Sequence, residues 1–160
     1  MAGTWGTPAN DAAVNNVPNR DPSAVQWDID AQCTLTLHHG TSPNYRERSD
    51  IPWSSYSGSI IKLRIDGNLT LYSTGTIAPF YALNEREVQI DGTLHISGTA
   101  GRNLFAADLF AADITAFTGN GIAAIETSQA TSMRAMFYGC KTLTSLDLTH
   151  FDTSKVTDMS

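Results

Sequence analysis

Residues 143–157 read LTSLDLTHFDTSKVT, preceded at 136–140 by MFYGC. Leu143, Leu146 and Leu148 give the spacing L-x-x-L-x-L. In a short strand Leu146 and Leu148 point to one side, while Leu143 turns in from the preceding loop. A single rung of this kind cannot bury its own apolar row, so the pattern requires neighbours that stack on it. Relatives of the segment are present. Ala130-Thr131-Ser132-Met133 lines up with Val156-Thr157-Asp158-Met159 at an offset of 26 residues. Upstream, Asp113-Ile114-Thr115-Ala116-Phe117 matches Asp147-Leu148-Thr149-His150-Phe151 at an offset of 34, with the eight extra residues assigned to the Gly119-Asn120-Gly121 turn region and the Ala-rich stretch beyond it. Ile65-Asp66-Gly67-Asn68-Leu69-Thr70-Leu71 matches Ile90-Asp91-Gly92-Thr93-Leu94-His95-Ile96 at an offset of 25. Periods in this range point to solenoids.

The run MRAMFYGCKTLTSLDLTHFDTSKVTDMS at 133–160 resembles the repeat of about 26 residues found in BspA-like bacterial surface proteins, a leucine-rich-repeat family. The elements M-F-x-x-C, L-x-x-L-D-L and F-D-T-S-x-V-T-x-M carry the likeness over residues 131–160. Trp27-Asp28-Ile29-Asp30, Cys33-Thr34-Leu35-Thr36-Leu37 and Ile51-Pro52-Trp53-Ser54-Ser55-Tyr56 are similar to the segment that precedes such arrays. The resemblance implies an extracellular adhesin of the bacterial cell surface. Its partners would be host glycan, mucin, glycosaminoglycan or matrix protein, and its signal and wall anchor would lie outside this fragment.

The fold expected is mainly β with short helices: a right-handed leucine-rich-repeat-like β-solenoid with a β-rich N-terminal cap. Residues 1–24, with Pro8, Pro18 and Pro22, read as an extended leader tied down by Trp5. Residues 25–103 form the cap with irregular rungs, and 104–160 the leucine-rich rungs. Within the cap, 34–37 resembles 68–71 and stands as a first divergent rung. Residues 39–52 form an exposed loop. Leu104-Phe105-Ala106-Ala107-Asp108 permits a short helix, alignment to Asp147 places a strand at 113–116, and Met133, Met136 and Phe137 suit one face of another helix.

At 160 residues, 41% apolar and 16% charged, the chain supports one elongated domain. A net charge of −6 with no basic stripe argues against nucleic acid and anionic membranes. No run of about 20 apolar residues occurs, so membrane insertion is not expected. Cys33 and Cys140 have neither metal nor redox spacing, and Cys140 reads as a packed free thiol. A monomer without cofactor or metal is expected.

Stacked rungs predict a column of outward side chains at Thr36, Thr70, His95, Asp113 and Asp147, suited to sugar hydroxyls or a partner protein, although alternation alone produces such a column on any solvated sheet face. A second candidate is an aromatic platform of Tyr45, Arg46, Trp53 and Tyr56, against which stands Trp53 as a structural plug. Enzyme signals are poor. Asp28 with Asp30 is a carboxylate pair, and His38 with His39 lacks a further metal ligand at suitable spacing. No phosphate loop, nucleophile elbow or H-E-x-x-H occurs, and no catalytic residue is assigned. The rival functions are a spacer without a ligand and a carbohydrate-active enzyme resting on carboxylates. The acidic balance also sets an expectation that adhesion strengthens as pH falls, because repulsion from sulfated or sialylated partners shrinks and four histidines gain charge.

Overall fold

The computed structural model describes residues 1–5, 24–80, 83–84, 87–106 and 114–160. The described residues are mainly β, and the helical ones among them are short 3-10 turns at Arg48–Asp50, Ser54–Ser59 and Gly121–Ala124. Among the described residues ten strands form two sheets. They are β1 (Ala2–Trp5), β2 (Val25–Ile29), β3 (Thr34–Leu37), β4 (Gly40–Thr41), β5 (Lys62–Ile65), β6 (Asn68–Ser73), β7 (Glu87–Ile90), β8 (Thr93–Gly98), β9 (Ala116–Gly119) and β10 (Ile125–Ala130). The first sheet has the order β1-β2-β3-β5-β7-β9 and the second β10-β8-β6-β4. From β3 onward successive strands along the chain alternate between the first sheet and the second. Every neighbour pair made this way is parallel, whereas β1, β2 and β3 pair antiparallel.

Alternation explains the two layers. Leu63, Ile65, Leu69, Leu71, Val88, Ile90, Leu94 and Ile96 are all buried between the sheets, and the residues between them face outward. Parallel sheets usually read as continuous apolar runs because helices cover both faces. Here no α-helix occurs among the described residues, the outward strand residues are partly exposed, and the strands alternate.

The two Ile-Asp-Gly segments lie in register, Ile65 beside Ile90 and Asn68 beside Thr93. Their turns are laced coil to coil: Asp91 N–H donates to Ile65 O at 2.8 Å and Thr93 N–H to Gly67 O at 3.2 Å. The approach is close enough to explain the glycines. A Cβ on Gly67 would fall on the His38 carbonyl oxygen, and one on Gly92 on the Gly67 carbonyl oxygen.

The return loops carry aromatic rings into the core. Trp53, Phe80, Phe105 and Phe137 stack in sequence, with centroid separations of 6.4, 6.2 and 5.8 Å and interplanar angles of 20, 18 and 19°. At the N-terminal end Trp5 closes the ladder, 5.0 Å from Trp53 and 5.2 Å from Tyr45, with its Nε1 donating to Asp50 O at 2.7 Å. The expected leader thus begins with a strand, and residues 6–23 lie outside those described.

Several expectations need correction. β3 pairs with β5, so 34–37 is the counterpart of 62–65 and not of 68–71. A strand of the pattern T-L-T-L fits either sheet, and only the turn that follows assigns it. In the stretch expected to hold a strand at 113–116, residue 113 lies outside those described and the strand that forms is β9 at Ala116–Gly119. Residues 143–148 form no strand either, although Thr142 Oγ1 donates to Ile114 O at 3.0 Å and His150 Nε2 lies 2.9 Å from Ile122 O. Those two contacts set the spatial offset at 28 residues, not 34. Between them Asp147 Oδ1 accepts from Thr149 N–H at 3.0 Å and its hydroxyl at 2.6 Å, a local turn that competes with strand pairing. The helix expected at Met133, Met136 and Phe137 is replaced by single turns, because Ala135 sits at φ +52°. The helix proposed at 104–108 runs partly beyond the described residues; 104 and 105 lie in a turn.

The 26-residue offset does hold in space. Ser132 bridges Asp158 in parallel, Thr157 N–H donates to Thr131 O at 2.9 Å, and Lys155 Nζ meets Gln129 Oε1 at 2.7 Å. Residues 155–158 therefore lie beside the 129–132 segment through one isolated bridge and these contacts, without forming a further strand.

Buried Tyr45 supplies a first test. Its hydroxyl has no hydrogen-bond partner among the described residues, and burial pushes its phenol pKa far up. An unsatisfied buried hydroxyl is destabilising by about 1–3 kcal/mol. Tyr45→Phe is expected to leave the melting midpoint unchanged or raise it, whereas a fall on thermal denaturation would place a partner on that oxygen.

Candidate functional site

The outward face of the first sheet is committed to holding coils together. His38 lies between two carboxylates, with Nδ1 2.9 Å from Asp66 Oδ1 and Nε2 2.9 Å from Asp28 Oδ1. Arg64 reaches Asp66 at 3.5 Å and Asp91 at 3.0 Å, and Gln89 donates to Asp91. Lys62 pairs with Glu87 at 3.2 Å, and Thr118 Oγ1 donates to the same carboxylate at 2.7 Å. Most of these contacts cross from one coil to the next, so the row works as a clasp.

The clasp has a pH signature. Hydrogen bonds from Thr118 and Lys62 hold Glu87 below its ordinary pKa, and those from Gln89 and Arg64 do the same for Asp91. A carboxyl whose folded pKa is depressed adds stability above its unfolded value, and that contribution is lost as pH falls through the folded value. Unfolding stability is expected to decline below about pH 4. The double variant Glu87→Gln, Asp91→Asn should be less stable at neutral pH and show a flatter decline in urea titrations across pH 2–6. An equally steep decline would contradict the assignment.

The outward face of the second sheet is different. Its register aligns Thr41, Thr70, His95 and Glu126 in one column. Asn68 and Thr93 flank this column on one side, with Tyr72 and Ser97 on the other. Adjacent strands set these side chains about 4.8 Å apart. Among the described residues its ion pairs reduce to His95 Nδ1 with Glu126 Oε2, at 3.2 Å. Tyr72, 38% exposed, stands beside the column as its aromatic ring. The face is flat, mostly uncharged and rich in short hydroxyl side chains, each able to donate and accept.

The expected column is therefore split. Thr70 and His95 are neighbours as anticipated, but Thr36 belongs to the first sheet, opposite Asp28 and Arg64, and is 7% exposed. Asp147 sits in its own turn away from the second sheet, and Asp113 lies outside the described residues. The aromatic platform is taken apart as well. Tyr45 and Trp53 are fully buried, the latter with Nε1 donating to Pro79 O at 2.8 Å, which leaves Arg46 and Tyr56 at the surface. Sequence reasoning missed Thr41, Tyr72 and Glu126. Tyr72 follows Thr70 by two residues, so the strand period already placed it on the same face. Glu126 was available from ETSQATSM at 126–133 against DTSKVTDM at 152–159, a longer form of the 26-residue match.

The other polar groups have structural tasks. Asp30 Oδ1 accepts the backbone N–H groups of Gln32 and Thr34, and Asp28 is held by His38. The two carboxylates around His38 approach opposite ring nitrogens, so their oxygens do not converge on one point. Among the described residues, no group of three or more His, Cys, Asp and Glu side chains is arranged to hold a metal ion. Cys140 donates Sγ–H to Phe105 O at 3.1 Å. Among the described residues, no helix is long and apolar enough to cross a membrane.

Comparison with known families places one part of the chain. Residues 105–160 match a family described as Mycoplasma protein of unknown function, DUF285. The matched third holds β9, β10 and the coil stacked on them, the same stretch that carries the repeat likeness. No curated protein and no solved structure matches the chain.

Proposed function

We propose that this chain is part of a bacterial cell-surface protein that recognises its partner through the outward face of the second sheet. The observation that carries the reading is the asymmetry between the two faces. One is occupied by interlocking charges, and the other presents Thr41, Thr70, Thr93, Tyr72, Ser97 and Asn68 on a rigid parallel sheet with a single ion pair. Hydroxyls at strand spacing beside an aromatic ring suit the hydroxyls and apolar faces of sugars, so host glycan, mucin or glycosaminoglycan is the partner class, with matrix protein second. The match to the Mycoplasma family and the BspA-like repeat support a surface location. The scaffold is taken as a right-handed leucine-rich-repeat-like β-solenoid: two strands per coil, 25 residues between the Ile-Asp-Gly turns, and an aromatic ladder along the axis. Adhesion, not catalysis, follows from this reading, since the carboxylates in the clasp serve its ion pairs and hydrogen bonds.

The test is a binding screen of the purified chain on immobilised mucin, glycosaminoglycans, a glycan array and fibronectin. Saturable binding to at least one glycan surface is the expected result. Absence of binding across the panel would favour a spacer. Release of reducing ends from polysaccharide, lost on carboxylate substitution, would replace the reading with an enzyme.

A further inference from the structure

The first sheet ends at β9, and the edge it leaves is only partly covered. Thr142 Oγ1 on Ile114 O and His150 Nε2 beside Ile122 O tie the 142–150 segment down at two points. Between those points no backbone hydrogen bond joins 143–147 to β9 among the described residues. Alternate backbone groups of β9 that point away from β7 therefore lack a strand partner. The two stretches enclose a cleft of about 380 Å3, at the lower end of the range for small-molecule sites. Asn120, Ser145 and Asp147 give it a polar lining, and Phe117, Leu143 and Leu146 an apolar one. Among the described residues no Lys or Arg lines it, which leaves Asp147 as its charge.

The polar groups offer mainly acceptors. Thr149 takes up Asp147 Oδ1 through its hydroxyl and its N–H, which leaves Oδ2 to a ligand. Those hydrogen bonds hold the carboxyl below its ordinary range, so it is ionised at neutral pH. Asn120 Nδ2 donates to Asp91 O at 2.9 Å, which leaves its Oδ1 as an acceptor. The matching ligand is rich in donors, carries a positive charge and has an apolar side for Leu143 and Leu146. An extended peptide would also pair with a strand edge, but the tethers at Ile114 and Ile122 close both ends of the cleft to a running chain.

We propose that the cleft binds one hexosamine unit with a free amine. Its ammonium meets Asp147, its hydroxyls meet Asn120, Ser145 and the open carbonyls of β9, and one face of the ring lies against the two leucines. An ammonium brings three donors, and its hydrogen bond to a carboxylate is roughly twice as strong as a neutral one. The site is separate from the second-sheet face, and it stands whether or not that face binds glycan.

The probe is glucosamine, titrated into the protein to about 50 mM, above a millimolar dissociation constant, while backbone amide shifts are followed by NMR. N-acetylglucosamine is the uncharged counterpart. The expected result is saturable shifts confined to 115–122 and 143–149, with glucosamine bound about fivefold more tightly than the acetylated sugar. Asp147→Asn keeps the oxygen that accepts from Thr149 and removes the charge, so it should erase that preference. Ser145→Ala, at an exposed position, should weaken both sugars by about twofold. Tyr72→Ala should change neither. Shifts that stay linear in sugar concentration, or that fall outside the cleft, would overturn the proposal. Equal affinity of the parent protein for the two sugars would overturn it as well.

Discussion

Gly92→Ala is expected to destabilise the protein by about 3–4 kcal/mol, a loss in the range reserved for a named structural conflict. The added methyl would sit on the Gly67 carbonyl oxygen, and that oxygen also accepts Thr93 N–H, so the conflict falls on backbone that stacking needs in place. A flexible side chain could swing aside; a carbonyl tied into the neighbouring coil cannot move without parting β5 from β7 and β6 from β8. Gly58→Ala is the matched control, since its added Cβ meets nothing within 4 Å. Urea denaturation of the pair should separate them clearly. Equal stability of the two variants would mean that the Asp-Gly turns are not in contact.

Phe105→Ala should cost about as much, roughly 3–5 kcal/mol. The ring is fully buried, stacks on Phe80 and Phe137, and meets Phe117 edge-on at 5.2 Å. Its loss leaves a cavity in the middle of the ladder that neighbours on three sides cannot fill, because each is fixed by its own coil. Phe105→Leu keeps most of the volume and should cost less than half as much. A loss below about 1 kcal/mol for the alanine variant would show that the rings do not share one core.

The parallel register of the two Ile-Asp-Gly segments was legible in the sequence because it rests on backbone geometry that leaves a strong residue signature. Ile-Asp-Gly at 65–67 and again at 90–92 marks a turn in which only glycine fits beneath the carbonyl of the previous coil, and the 25-residue register follows directly. The 26-residue match at 130–133 and 156–159 is equally physical, since those residues pair. What remained hidden was that the strands divide between two sheets. Alternation tells inside from outside, yet Thr36 and Thr70 look alike in T-L-T-L and N-L-T-L while lying on opposite sheets. The candidate site suffered for that reason: one column was drawn where there are two faces, and the contrast between them was invisible.

Other failures have local causes. The strand expected at 143–148 satisfied the apolar spacing, but Asp147 spends its hydrogen bonds on Thr149, and Leu148 is 39% exposed. Spacing describes where side chains would point and says nothing of a competing turn. Tyr45 was drawn toward the surface by its charged neighbour Arg46, while Trp53 packs inside as the plug weighed against the platform; Trp5, 40 and 48 residues before them, provides the ring that covers both. A contact of that sequence separation has no signature in either segment.

The most direct test of the central claim compares two single variants in the same glycan-binding assay. Tyr72→Ala removes the exposed ring of the second-sheet face, and Arg64→Ala cuts the clasp of the first; both leave the buried rows untouched. Binding reduced tenfold or more by Tyr72→Ala, with Arg64→Ala within twofold of the parent, is the predicted result. Binding lost with Arg64→Ala and retained with Tyr72→Ala would put recognition on the opposite sheet and contradict the account.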